Sequence, residues 1–201
     1  MNRLLLHVCC ANCGLVPIEL LKQKFDLTLF WYNPNIQPNE EHAKRLENFY
    51  QLAKIYRARH LRQLADQALR AGNLNYLIGP DDAQSWDKMV KEKHLINEPE
   101  GGRRCTACFN WRLNVAAQIA QENDFPYFAT TLGISRYKNS ELIDALGQAA
   151  AQQHQVQYYP LRADKNWASQ EELKLSRKYN FYRQKYCGCL YAKTTLVKNQ
   201  K

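Results

Sequence analysis

Seven cysteines stand in three short groups, Cys9, Cys10 and Cys13 in HVCCANC, Cys105 and Cys108 in GGRRCTACF, and Cys187 and Cys189 in YCGCLY, with none elsewhere. A free cysteine usually behaves as a small core hydrophobe, and seven of them would spread over apolar positions. Grouping among glycines, arginines and turn formers points instead to ligation or thiol chemistry. The Cys105-x-x-Cys108 spacing at a helix start lets two thiolates grip one metal or cluster. The helix N-terminus with Arg103 and Arg104 is expected to lower their pKa values. That spacing alone also suits a thioredoxin-like redox pair. Adjacent thiols at Cys9 and Cys10, with Cys13 one turn later, rarely serve packing, and Cys187-Gly188-Cys189 keeps two sulfurs close. Seven ligands exceed the four of one tetrahedral zinc site. They fit a four-thiolate iron-sulfur cluster with three sulfurs left for a second metal or for redox work, structural zinc being the alternative.

The elements that must position these groups follow from the apolar pattern. Leu4 to Val8 is a short continuous apolar run, the pattern of a strand buried on both faces, and Val16 to Lys24 has helical spacing. Leu27 to Tyr32 reads as a second strand, stopped by the turn formers Asn33-Pro34-Asn35. Pro38, Glu40 and Glu41 suit a helix start, and that helix is expected to run to about Tyr56. LRQLADQALRAG reads as a separate helix ended by Gly72, and LNYLIGP as a short strand. Asp82 is a cap for a helix carrying Trp86, Met89 and Val90. NEPEGGRRC is loop, and Thr106 to Glu122 a helix with Phe109, Leu113, Ala116 and Ile119 at core spacing. Tyr127 to Leu132 is a strand, Ser140 to Gln153 a helix, Val156 to Leu161 a strand and Ser169 to Tyr179 a helix. Strands alternating with helices predict an α/β fold, a mainly parallel Rossmann-like sheet flanked by helices. Its ligands gather beyond the carboxyl ends of the strands, where the cysteine-rich loops fall. The reading is of one domain over 1–201, with a possible helical insertion over 57–100 and a C-terminal segment, 181–201, closing the metal site.

The chain has 201 residues, 45% hydrophobic and 23% charged, which describes a globular protein. The apolar run in MNRLLLHVCC is shorter than a signal-peptide core of roughly 7 to 15 residues, and no segment approaches the roughly 18 apolar residues of a membrane span. A cytoplasmic location is expected, where thiols stay reduced and clustered cysteines mean metal or redox chemistry. A net charge of +9 and a pI near 9.2 favour a polyanionic partner. Basic residues recur in KIYRARHLR, GGRRC, SRKYNFYRQKY and KTTLVKNQK, several interleaved with aromatics suited to stacking on unpaired bases. No GxGxxG, GxxxxGK[ST] or Ser-Gly-Gly-x-Asp-Ser loop is present, so no nucleotide cofactor is expected.

HVCCANC, FWYNPNIQP, EPEGGRRCTACFNWRL, TTLGISRYKN and YRQKYCGCLY, in this order, resemble the QueH family of epoxyqueuosine reductases across nearly the whole chain. The departure is Tyr50 to Asn75, longer and more helical than that family's pattern. The resemblance implies a metal-dependent two-electron reduction of an epoxide on the wobble nucleoside of tRNA, giving alkene and water. It also implies a 4Fe-4S cluster with an additional mononuclear iron, the tRNA anticodon arm as partner, and an electron donor. On rigid element ends, Cys9, Cys10, Cys105 and Cys108 are expected to hold the cluster, leaving Cys13, Cys187 and Cys189 for the second iron and as catalytic candidates. Asn33 and Asn35 are turn formers on their residue types, and site-lining groups on the resemblance. Thr130, Thr131, Ser135, Lys138 and Asn139 lie beyond a strand end and are expected to contact substrate, helix capping being the alternative at Asn139. Arg103 and Arg104 bind phosphate or tune the thiolates. Arg183, Gln184 and Tyr186 beside the CGC group are candidate tRNA contacts. His7, Phe109, Trp111 and Leu113 read as packing residues. Two other functions fit the same residues, another iron-sulfur tRNA-modifying enzyme and a non-catalytic zinc-stabilised RNA-binding protein.

Overall fold

In the computed structural model, which describes residues 1–65 and 76–192, five parallel strands form one sheet in the order β3-β2-β1-β4-β5. They are β1 (Asn2–His7), β2 (Phe25–Trp31), β3 (Tyr76–Ile78), β4 (Tyr127–Thr130) and β5 (Gln157–Tyr158). Among the described residues six helices accompany them, the first five between strands and the last after β5: α1 (Ala11–Leu21), α2 (Asn39–Ala65), α3 (Ala83–Glu92), α4 (Arg103–Glu122), α5 (Ser140–Gln153) and α6 (Lys165–Lys178).

The central strand shows why the sheet is doubly covered. Successive side chains of β1 point to opposite faces. Leu4 and Leu6 join one apolar cluster with Leu15 and Ile18 of α1 and Phe49 and Leu52 of α2. Leu5 joins the other with Phe109 and Leu113 of α4, Ile143 of α5 and Trp86 of α3. Leu4, Leu5 and Leu6 are fully buried, flanked in register by Leu27, Thr28 and Leu29 on β2 and by Tyr127, Phe128 and Ala129 on β4. The chain leaves β1 for β2 on one side and later returns to its other side as β4. The carboxyl end of β1 is therefore where the winding reverses, the crevice position for ligands in open α/β sheets.

Several element ends differ from the sequence pattern for local reasons. α1 starts five residues before the first apolar-periodic position because the Cys10 side chain caps it, accepting from the Cys13 amide at 3.3 Å. Asp164 likewise starts α6 early, its carboxylate accepting from Trp167 N at 2.8 Å. α2 continues past Tyr56 to Ala65, absorbing the start of the separately expected helix. No glycine or proline interrupts that stretch, and the remainder up to Gly72 lies outside the described residues. β4 stops at Thr130, whose hydroxyl accepts from Leu132 N at 3.2 Å and turns the chain into a short 3-10 segment, Thr131–Ile134. Among the described residues no helix is long and apolar enough to cross a membrane.

Candidate metal centre

All seven cysteines are free, and their sulfurs fall into two neighbouring sets. Cys9, Cys10 and Cys13 lie at the junction of β1 and α1, with their three Sγ atoms within 4.8 Å of one another. Ligands held tetrahedrally at about 2.3 Å from one ion lie roughly 3.8 Å apart, so this triad is spaced for a single metal. No other group of three His, Cys, Asp or Glu ligand atoms this close exists among the described residues. Thr131, the first residue of the 3-10 segment after β4, braces the triad twice: its hydroxyl donates to Cys9 Sγ at 3.2 Å and accepts from Cys9 N at 3.0 Å. Gln184 Nε2 donates to Cys10 Sγ at 3.0 Å, bringing the C-terminal segment onto the same sulfurs.

The second set joins α4 to that segment. Cys105 and Cys108 occupy the first two turns of α4, whose cap is Gly102, and the Gly101 amide donates to Cys105 Sγ at 3.2 Å. Each is close enough to Cys187 to interact electrostatically, and Cys108 also feels Cys189. Cys108 and Cys189 belong to one apolar cluster, against which Cys9 and Cys105 also pack. All three sequence groups thus converge at one end of the sheet.

The electrostatics differ from the expected depression of the α4 thiols. Burial pushes Cys108 up to about 12, against the opposing pull of Arg112, and also raises Cys105 and Cys189. Arg104 does favour the Cys105 thiolate, but desolvation outweighs it. In the triad, hydrogen bonds from Cys10 and Cys13 bring Cys9 well below the usual thiol range, while Cys13 is driven well above it by Cys10 and Cys9. Burial and mutual repulsion oppose charging all three thiols at once, and a bound cation would offset that cost.

Two buried arginines and the half-buried Lys138 act on the sulfurs. Arg112 lies one turn beyond Cys108 on α4; its Nη2 donates to Asn33 Oδ1, its charge acts on Cys108 and Cys9, and its Nε is buried without a hydrogen-bond partner. Arg104 donates through Nη1 to the carbonyls of Leu95, Ile96 and Glu98, leaving buried Nε and Nη2 unpartnered beside Cys189. Burial acts against the Lys138 ammonium, but Cys187, Cys9, Cys13 and Cys10 outweigh it and hold the amine protonated. Orphaned donors on buried guanidiniums, gathered around seven sulfurs, suit an anionic sulfur-ligated group.

The polar candidates divide between site and scaffold. Asn33 is buried, its amide donating to Val8 O at 3.1 Å. Asn35 is 1% exposed with an unpartnered Oδ1. Thr130 binds the buried, neutral His7, whose pKa falls to about 3 through burial and then Arg112. Asn139 caps α5, accepting from Leu142 N at 3.0 Å, and Ser135 Oγ accepts from Tyr137 N at 3.3 Å. Arg103 pairs with Glu98 at 2.7 Å and Arg183 with Glu172 at 2.9 Å, both at the surface. Tyr186 donates to Gln37 O at 2.5 Å.

Two further sets of residues matter that sequence reasoning passed over. Arg45, 3% exposed, pairs with Glu41 at 2.7 Å and donates to the carbonyls of Tyr186 and Cys187 at 2.9 and 3.0 Å. Asn12 donates to Tyr182 O at 2.8 Å and accepts from Ser176 Oγ at 2.9 Å. The i,i+4 spacing of Glu41 with Arg45, and of Cys108 with Arg112, was the available signal.

A family model described as epoxyqueuosine reductase QueH matches residues 4–195. The chain belongs to the QueH family. Proteins named epoxyqueuosine reductase QueH are similar to it over almost its full length: one from Acinetobacter baylyi is 37% identical over 95% of this chain and 80% of its own. One from Staphylococcus aureus is 34% identical over 94% and 75%, and one from Thermotoga maritima 31% identical over 96% and 91%. The three cysteine groups all fall within the QueH match.

Proposed function

We propose that the chain is a metal-dependent epoxyqueuosine reductase, an oxidoreductase that removes the epoxide oxygen from epoxyqueuosine at the tRNA wobble position to give queuosine. The convergence of seven unpaired sulfurs at the switch point of a QueH-family sheet carries this reading. The conversion consumes two electrons and two protons, breaks both C–O bonds of the epoxide, and yields an alkene and water, the electrons coming from an external reductant. A reduced, cytoplasmic setting suits both the free thiols and a tRNA substrate.

The sulfur spacing supports a division of ligands by place rather than by element end. Cys9, Cys10 and Cys13, packed for one ion, are assigned to the mononuclear iron, and Cys105, Cys108, Cys187 and Cys189, spread more widely, to the 4Fe-4S cluster. When bound, the cluster supplies electrons singly and an iron with an open position supplies Lewis acidity. The chain's own residues do the rest. Thr131 and Gln184 fix the orientation of the triad, and Arg104 and Arg112 offset negative charge within the centre. Lys138 holds a proton facing the thiols of both sets. The segment from Phe181 closes the site, with Arg45 as its anchor.

Anaerobic reconstitution with iron and sulfide, followed by incubation with epoxyqueuosine-containing tRNA and a chemical reductant, tests the reading. The expected result is loss of epoxyqueuosine and gain of queuosine on nucleoside analysis. A fully loaded protein that leaves the epoxide intact would overturn it.

A further inference from the structure

The loop between the 3-10 segment and α5 carries an aromatic residue with no packing role. Tyr137 is 80% exposed, the most exposed aromatic side chain among the described residues. A lone ring in water is ordinary at a protein surface; what singles this one out is the fastened loop that displays it and the arginine held against it. The loop beneath it is fastened. Tyr137 N donates to Ser135 Oγ at 3.3 Å, Lys138 N to Ser135 O at 3.2 Å, and Lys165 Nζ, from the first turn of α6, to Lys138 O at 3.1 Å. Arg136 is exposed beside the ring, with its guanidinium carbon 4.8 Å from the ring centroid and its Nη2 donating to the phenol oxygen.

The position of this ring relates it to the sulfur site. Thr131, six residues earlier, bonds Cys9 directly, and Lys138, the next residue, turns its amine inward toward the thiols. Tyr137 therefore belongs to the short stretch, from Thr131 to Lys138, that engages the triad at both of its ends. A tyrosine displayed in water with an arginine over it is the pairing that single-stranded nucleic acids use: the ring face stacks on a base and the cation meets phosphate. The net charge of +9 agrees in sign.

We infer that Tyr137 and Arg136 form a stacking platform for an unpaired anticodon-loop base flanking the wobble nucleoside, positioning RNA without taking part in the reduction. This rests on the reductase reading for the identity of the RNA, and its test is binding rather than turnover. A synthetic anticodon stem-loop with guanosine at the wobble position is titrated into the reconstituted protein. Tyr137→Ala is expected to weaken binding about tenfold and Tyr137→Trp to retain it. Arg136→Gln is expected to lower the slope of log K against log salt by about one. In turnover with epoxyqueuosine RNA, Tyr137→Ala is expected to raise KM by a similar factor with kcat held. Stem-loop binding by Tyr137→Ala at wild-type strength overturns the inference, as does a Tyr137→Ala defect confined to reduction by a protein electron donor. Failure of the wild type to reduce the epoxide refutes the reductase reading alone, since the stem-loop titration judges the platform independently.

Discussion

The two sulfur sets are built in opposite ways. Cys9, Cys10 and Cys13 come from five consecutive residues where β1 meets α1, and the geometry is local: Cys10 caps the helix and Cys13 N donates to its sulfur. Cys105, Cys108, Cys187 and Cys189 come from stretches about eighty residues apart, joined only through tertiary contacts. Arg45 on the carbonyls of Tyr186 and Cys187, Tyr186 on Gln37, and Tyr191 on Asp87 at 2.5 Å hold the tail half. A site formed by the local chain survives perturbation elsewhere, whereas a site assembled at a distance inherits the stability of every clamp along the tail.

Metal should reveal the contrast most strongly. Metal binding free energy becomes folding free energy where ligands are joined by the metal itself. Reconstitution is expected to raise the melting temperature by roughly 10 °C or more. Hydrogen exchange should slow chiefly in 181–192, with little change in 8–16. Equal protection of both stretches would erase the distinction.

Next in size is the Arg45 clamp. Arg45→Met strands a buried Glu41 and frees two carbonyls, which should destabilise the metal-free protein by about 3 kcal/mol, a loss of roughly 6 to 12 °C in melting temperature. Calorimetry checks this, and adding Glu41→Gln should recover part of the loss.

Gly188 should matter less. Its φ of 115° lies in the region that favours glycine, and an added Cβ would sit 2.9 Å from Ile36 Cγ1. Gly188→Ala is expected to destabilise by about 1 to 3 kcal/mol and to lower cluster incorporation, followed by acid-labile sulfide, without loosening the triad. The smallest effect belongs to Gln184→Ala, which removes its bond to Cys10 and the one it accepts from Asn12 and should change stability by about 1 kcal/mol in denaturant titration.

The same contrast explains what could be read from the residues. β1 was visible in Leu4 to Val8 because a doubly covered central strand must be continuously apolar, and the α4 core positions were visible from their helical period. The grouping of cysteines was equally plain. The raised thiol pKa values at Cys105 and Cys108 were not, because they depend on burial supplied by distant elements, and a local reading saw only the helix end and its arginines. Arg104 reads as a surface base in GGRRC yet is 1% exposed, folded back onto the carbonyls of its own preceding loop. Arg45 looks like any helical charge until the tail lies across it. The full length of α2 was missed because Tyr56 marked the end of the apolar period, although nothing at that point breaks a helix.

The division of the sulfurs is tested most directly by iron and sulfide analysis of anaerobically reconstituted Cys13→Ala and Cys189→Ala. Cys13→Ala should keep the brown colour and about four sulfides per chain while losing about one iron relative to the wild type, and Cys189→Ala should lose the colour. A colourless Cys13→Ala beside a Cys189→Ala with its full sulfide content would contradict the assignment.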